Sequence, residues 1–402
     1  MNTFCQLTLS ATISCACIMP AFAQQAASIT QALQNADIKL SFRMRYEDVT
    51  VTNINAQEST ADVLSLKTRL SYISQSFNGW GLGVEMDDVT HLTNFQPQGA
   101  SISDPEGTEV NQYFLSYKAG HTIAKMGRNR ILLDNQRFVG GVGFRQNEQT
   151  YDSFRIESKD IKNLTVFGAY ITSVKRIFGE QDLRGEHDNQ SLLLNAQYAF
   201  NPTIKLTGYY YDIDNVSVPA LSNATLGMRA TGQAAAFVYE AELATQSESG
   251  NNNNQYSASY LGLSAFYKMK PLTFKLGYES LGTDRNKGRF ITPFATLHKF
   301  QGWTDVFLGG GTGNVEGGID DLYFQMGGQA GAINLAVAYH QFNVNDATQT
   351  GFDRFGSELG IVMTGKLHNI SLSLKYANFS ADENATNFKD TSKLWLTAET
   401  QF

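Results

Sequence analysis

Ile38-Lys39-Leu40-Ser41-Phe42-Arg43-Met44-Arg45-Tyr46-Glu47 alternates apolar and polar side chains with a period of two. Successive side chains of a β-strand point to opposite faces, so this stretch has one apolar face and one charged face. The pattern returns along the chain. Leu64, Leu66, Leu70 and Tyr72 alternate with Ser65, Lys67, Arg69 and Ser71, while Ile370, Leu372, Leu374 and Tyr376 alternate with Ser371, Ser373 and Lys375. A sandwich would bury the apolar face as a core, but too many strands here carry Arg or Lys on the other face. A closed barrel with lipid outside and water inside satisfies both faces at once.

The segmentation points the same way. About eighteen strand segments start near residues 37, 62, 80, 109, 122, 150, 163, 190, 203, 223, 233, 255, 271, 319, 332, 355, 369 and 391, an even number as bacterial single-chain barrels have. Connections alternate between short and long. The short ones include Asn78-Gly79, Ala119-Gly120, Asn201-Pro202, Thr231-Gly232, Lys270-Pro271, Ala330-Gly331 and His368-Asn369, with hairpin-turn chemistry. The long ones are 48–61, 88–108, 134–149, 176–189, 212–222, 247–254, 282–318, 344–354 and 380–390. Short periplasmic turns and long external loops imply a bacterial outer-membrane barrel with both termini periplasmic.

Residues 1–23 read as a cleaved signal peptide: an apolar stretch over 7–22 ends in Ala21-Phe22-Ala23, although no Lys or Arg precedes it. The barrel domain then occupies residues 24–402. All three cysteines (Cys5, Cys15, Cys17) precede that boundary, so the barrel domain has no disulfide or thiolate metal site. No later apolar run reaches the ~18 residues of a spanning helix. The mean hydropathy of -0.26 is what alternating strands give. The net charge of -7 gives no reason to expect a nucleic-acid partner. The final strand sets Leu394, Leu396, Ala398 and Phe402 against Lys393, Thr397 and Glu399, with Trp395 out of pattern. Its terminal aromatic resembles the signal read by outer-membrane barrel-assembly machinery. Tyr46, Tyr72, Trp80, Tyr117, Tyr170, Tyr198 and Tyr376 suit interfacial girdles, which places lipid and lipopolysaccharide among the partners.

The most distinctive local stretch runs Gly127-Arg128-Asn129-Arg130-Ile131-Leu132-Leu133-Asp134-Asn135-Gln136-Arg137-Phe138-Val139-Gly140-Gly141-Val142-Gly143-Phe144-Arg145-Gln146. Arg128, Arg130, Arg137 and Arg145 present planar donor forks suited to carboxylate or phosphate, and the glycines let the loop fold back toward the pore. The alternative is that these arginines brace the loop against Asp134, Glu148 and Asp152.

Together with His298-Lys299-Phe300-Gln301-Gly302-Trp303-Thr304-Asp305-Val306-Phe307-Leu308, this stretch resembles the alginate-export family of outer-membrane proteins. Gly-Arg-x-x-Ile…Asp-x-Gln-Arg-Phe-Val-Gly and a later His-x-Phe-x-Gly-Trp-x-Asp-x-Phe recur there. The resemblance implies an eighteen-stranded barrel with an arginine-lined passage for an anionic polysaccharide. It supports the fold more than it supports alginate, because many relatives are porins of unknown substrate.

Alternation alone sends Lys39, Arg43, Arg45, Lys67, Arg69, Lys118, Arg155, Lys205, Lys275 and Lys375 to the lumen, with Glu47, Glu85, Asp87, Glu157, Glu240, Glu242, Glu279 and Glu399. Arg43, Arg45 and Arg69 lie on neighbouring strands ~4.8 Å apart and are expected to converge on one wall. Such a ladder selects anions; the alternative is that these charges only solvate the bore. Loop acids such as Asp104, Glu106, Asp212 and Asp214 suit a solvated rim. The long loop 282–318, with Arg285, Lys287, Arg289 and Lys299, is a candidate lid. The six histidines are scattered without metal spacing and no G-x-S-x-G elbow occurs, so no enzyme is expected. The sequence therefore reads as an all-β transmembrane barrel without cofactor, a channel for anionic small molecules or polysaccharide. A surface-binding barrel with a plugged lumen is the alternative, and a rim-located hydrolase a more distant one.

Overall fold

The computed structural model describes residues 25–285 and 287–402; the signal-peptide expectation and the three cysteines lie outside them. Eighteen long strands follow in order: β1 (Asp37–Thr52), β2 (Glu58–Ile73), β3 (Trp80–His91), β4 (Gly107–Ala119), β5 (Thr122–Asn129), β6 (Thr150–Ser158), β7 (Leu164–Lys175), β8 (Glu186–Asn201), β9 (Ile204–Ile213), β10 (Asn223–Ala234), β11 (Phe237–Glu248), β12 (Ser257–Met269), β13 (Leu272–Leu281), β14 (Ile319–Ala330), β15 (Ile333–Val344), β16 (Arg354–Leu367), β17 (Ile370–Ala381) and β18 (Asp390–Gln401). Each pairs antiparallel with its sequence neighbours, and β1 pairs with β18 (Met44 opposite Ala398), so the sheet has no free edge. Closure leaves no ladder group unpaired toward hydrocarbon. Phe402 completes the seam: its N–H donates to Leu40 O at 2.8 Å and its carbonyl accepts from Leu40 N at 3.1 Å. A short helix, α1 (Ile29–Gln34), precedes β1.

The period-two expectation holds residue by residue. Met44, Leu70, Met126, Phe154, Leu226, Leu243 and Leu276 point outward and are exposed, as a lipid-facing wall requires. Their sequence neighbours Arg43, Arg45, Ser71, Thr225, Glu242 and Lys275 point inward. At the short-turn end the outer wall carries aromatic contacts: Trp80–Tyr117 at 4.8 Å, Tyr198–Phe200 at 5.0 Å and Phe237–Tyr267 at 4.8 Å.

Two expectations need correction. The turn placed at Thr231-Gly232 lies instead at 235–236, with Ala235 taking the left-handed conformation (φ 52°). Gly232 stays in β10 because its strand partner Tyr239 lies over it; a β-carbon there would sit 2.1 Å from that ring. An aromatic filling the space above a strand glycine compensates the missing side chain. The first long connection, expected over 48–61, contracts to 53–57, since β1 and β2 keep pairing to Thr52 opposite Glu58.

The apolar core lies inside the barrel, not between sheets. Phe138, Val139, Phe290 and Phe294, from two loops, pack on the inward rings of Tyr209, Tyr211 and Tyr260. Trp395, out of pattern in sequence, is buried against Phe144 and His298 at 5.6 and 5.4 Å between ring centres. Leu243, near the middle of β11 and outward, offers a test of which face meets lipid. Leu243→Arg should lower the folding free energy in liposomes by about 2–4 kcal/mol, as charges do near the bilayer midplane. Unchanged stability in a urea titration would refute an outward lipid face.

Candidate functional site: two loops meeting in the lumen

Loop 130–149 turns from the end of β5 into the bore. Asp134, Gln136 and Val142 adopt positive φ (50°, 66° and 50°), a conformation that a β-branched valine takes only when its surroundings hold it there. Loop 282–318 runs beside it, and the two pair. Gly140 N donates to Phe294 O at 2.8 Å, Thr296 N donates to Gln136 O at 3.1 Å, and Val139 and Phe294 form a parallel bridge. Side-chain amides, Gln246 of β11 and Gln149 of the loop itself, complete the pairing. Gln246 Nε2 donates to Ile291 O and its Oε1 accepts from Ile291 N, both at 2.7 Å. Gln149 Nε2 donates to Gly140 O at 3.1 Å and Phe294 O at 3.0 Å. Loop backbone away from bulk water needs such partners, and here it has them.

Ion pairs hold the assembly to the wall. In one cluster Arg69 forks onto Asp87 (two bonds of 2.6 Å) and reaches Glu148 at 2.8 Å. Arg130 bonds both Glu85 and Glu148, and Lys67 lies 3.5 Å from Asp87 and 3.6 Å from Glu148. Three cations face three carboxylates. Burial alone would raise the Glu148 carboxyl, but Arg130, Arg69 and Lys67 hold it well below the ordinary range. In a second cluster Arg145 meets Glu47 at 3.0 Å and Asp305 at 3.0 Å, tying the loops to each other, and Lys393 reaches Asp305 at 3.2 Å. Arg137 bonds Glu279 at 2.7 Å and Thr292 Oγ1 at 3.0 Å.

The segment 301–305 grips the opposite wall from both ends. Glu358 of β16 accepts from Trp303 N, Thr304 N and Thr304 Oγ1. Gly302 (φ 81°) permits that approach, because a β-carbon would sit 2.4 Å from Glu358 Oε2. Two residues on, Asp305 accepts from His298 Nδ1 at 2.8 Å, and His298 Nε2 lies 2.7 Å from Lys375 Nζ. An ammonium only donates, so Nε2 is the acceptor and Nδ1 carries the proton, a tautomer assigned from the network. The ring is neutral: burial, with Lys375 and Arg145 nearby, pushes it down to about 3 despite Asp305. It stacks on Phe144 at 3.7 Å, a second link between the loops.

Between the loops and the β10–β17 wall remains a cavity of ≈220 Å³. Its carboxylates are partnered: Glu279 by Arg137, Asp321 by His340, Glu148 by Arg130, and Glu240 and Glu242 by a shared Arg229. Three of its lysines have no carboxylate at ion-pairing distance among the described residues. Lys375 lies over Trp303 (4.2 Å) and Phe144 (4.7 Å), and Lys275 over Phe266 (4.7 Å) and Tyr323 (5.0 Å). Lys299 Nζ donates to Asn135 O at 3.0 Å.

Residues 34–350 match the family model described as alginate export. The chain belongs to the alginate export family. It is thus an outer-membrane β-barrel channel and not an enzyme, and both family-like segments, 127–146 and 298–308, are the ones that meet in its bore. No curated protein matches the sequence. Solved structures share the fold at low identity. Pseudomonas aeruginosa OccK9 (OpdG) is 15% identical with TM-score 0.71, covering 92% of this chain and 99% of that one. Acinetobacter baumannii OccAB2 gives 15%, 0.71, 92% and 99%. Pseudomonas aeruginosa OpdK, crystallised with vanillate, gives 12%, 0.68, 92% and 99%.

Most of the arginines singled out in the sequence of this alginate-export barrel are engaged. Arg43, Arg45 and Arg69 do not converge. Arg43 donates to Gly143 O (3.1 Å) and Arg145 O (3.2 Å), Arg45 to Phe144 O and Thr397 Oγ1, while Arg69 turns toward β3. Arg128 forks onto Asp152 with two 2.9 Å bonds, and Lys39 pairs with Asp37 at 2.9 Å near the short-turn end. Arg155 faces the bore beside Lys125 with its Nε unpartnered. Asp134, an expected arginine partner, accepts from Asn195 instead. Asp104, expected on the solvated rim, is buried 4.0 Å from Arg45 and 3.9 Å from Arg145. The sequence reading did not single out the inward aromatics that seat the loops, or Glu358; Trp395, breaking its strand's alternation, was the one signal.

Two outcomes test this arrangement. Arg130→Met leaves Glu85 and Glu148 short of a partner and should cost about 3–5 kcal/mol of stability. Hydrogen exchange should rise over 130–149, and adding Glu148→Gln should recover part of the loss; an unchanged exchange pattern would contradict the network. The second concerns acid. A His held neutral, with its folded value depressed below 6.5 to about 3, stabilises the docked loops above pH 6.5. That contribution fades as pH falls from 6.5 toward 3, by up to about 1.4 kcal/mol per unit. Protection factors over 296–306, taken relative to the intrinsic exchange rate at each pH, should therefore fall on acidification, and His298→Asn should flatten the dependence.

Proposed function

We propose that this barrel passes small organic anions, and that Lys275, Lys299 and Lys375 engage their carboxylates in the central cavity. The observation carrying the reading is that these three lysines lack carboxylate partners, whereas the cavity's acids are each taken by an arginine or by His340. Point charges held by rings, a carbonyl or a neutral imidazole, with no carboxylate partner, can take up a carboxylate and release it, which conduction requires. The docked loops leave a cavity of ≈220 Å³, which favours a small acid over a polysaccharide segment. OpdK, similar in fold, was crystallised with vanillate, a small aromatic carboxylate, and that supports the same class here. An alginate-like polymer would need both loops displaced from the bore. In this reading the short turns and both termini face the periplasm and the long loops face lipopolysaccharide. Residues 1–23 direct export, and Phe402 presents the strand read by the assembly machinery.

The loop pairing itself favours one second reading, a closed barrel that binds ligands at its surface without conducting. Planar-bilayer recordings separate the two. The channel reading expects anion-selective reversal potentials and, for the triple Lys275→Gln/Lys299→Gln/Lys375→Gln variant, a roughly tenfold lower anion preference, about 1.4 kcal/mol. Cation preference in the unaltered protein would refute it, and absence of conductance with surface binding retained would favour the closed barrel.

A further inference from the structure

The segment before β1 carries an apolar surface that the bore does not use. Helix α1 is capped by Ser28, whose hydroxyl accepts from Gln31 N, and it docks on the β2–β3 hairpin through main-chain bonds. Ala26 N donates to Ser76 O at 2.8 Å and Gln75 N donates to Ala32 O at 3.0 Å. Ala26 and Ala32 are buried by that docking. Ile29 and Leu33, one turn apart on one face, remain 63% and 42% exposed.

Where the helix sits says what meets that face. Tyr72 OH donates to Leu33 O at 2.7 Å, and Tyr72 belongs to the outward row of β2. Its strand partner Ile38 also points outward and is exposed, and Trp80 and Tyr117 continue the row on β3 and β4. The ridge of α1 is thus continuous with the lipid-facing wall at its aromatic border. Residues 25–36 hold no charged side chain, so no side-chain charge of this segment is desolvated by lying there.

We propose that α1 is an interfacial anchor whose Ile29–Leu33 ridge inserts into the bilayer leaflet at the short-turn end. Burying such a ridge ~5–10 Å into the headgroup and acyl boundary is the usual mode of interfacial helices. The anchor holds the N-terminal segment against the rim beside the wall and away from the bore.

Spin-label accessibility in proteoliposomes tests this. No cysteine follows Cys17, so Ile29→Cys and Leu33→Cys can be labelled singly, with unsubstituted protein as the blank. Leu243→Cys on the outer wall gives the lipid reference and Leu183→Cys, in an exposed long-end loop, the water reference. Both substituted positions on α1 are exposed, and heat-modifiable gel migration verifies folding of every sample. Labels at 29 and 33 should show an oxygen-to-nickel-chelate accessibility ratio several-fold above that at 183 and close to that at 243. A ratio like that of 183 would overturn the proposal, and so would protection from both reagents, which would mean that protein covers the ridge.

Discussion

Backbone N–H and C=O groups cannot be left unpaired in hydrocarbon, and every other feature of this molecule follows from meeting that demand by closure. Pairing β1 with β18 turns the alternating strands into a wall with an apolar outside and a polar inside. The polar inside then becomes the only region where a long loop can find partners. Loops 130–149 and 282–318 use it fully: they pair with each other through main-chain bonds and Gln149, and with the wall through Gln246 and Glu358.

Taking charges away from bulk water is costly unless each finds a partner of opposite sign. That constraint explains how the charges are divided. The arginines, with planar forks that fit carboxylates, are consumed in the structural clusters around Glu148, Asp305 and Glu279. The lysines of the cavity rest on rings, a carbonyl or the His298 imidazole, with no carboxylate to neutralise them. The cations of the cavity left without a carboxylate are therefore lysines.

Much of the fold was legible because period-two alternation is local. Fifteen of the strand starts are recoverable within about two residues from hydrophobicity and turn chemistry. The displaced turn at 235–236 was not, because keeping Gly232 in a strand depends on the Tyr239 ring across the ladder. Which residues face the bore was legible from parity; what they do there was not. Arg145 finds Asp305 across 160 positions and Arg137 finds Glu279 across 142, and no spacing rule reaches so far. The family-like segments did mark the two loops that meet, though not that they meet each other. Trp395 was visible as a breach of alternation, and the structure supplies its reason: it backs His298 and Phe144.

The central claim is that the two loops are paired inside a lipid-embedded barrel. Cysteines replacing Val139 and Phe294, which form an isolated parallel bridge between the two loops, stand side by side, within reach of a disulfide. In folded, membrane-inserted protein the account predicts near-complete intramolecular cross-linking of the double variant under mild oxidant. Free thiols in that sample, open to a membrane-impermeant reagent, would place the loops outside the bore and contradict it.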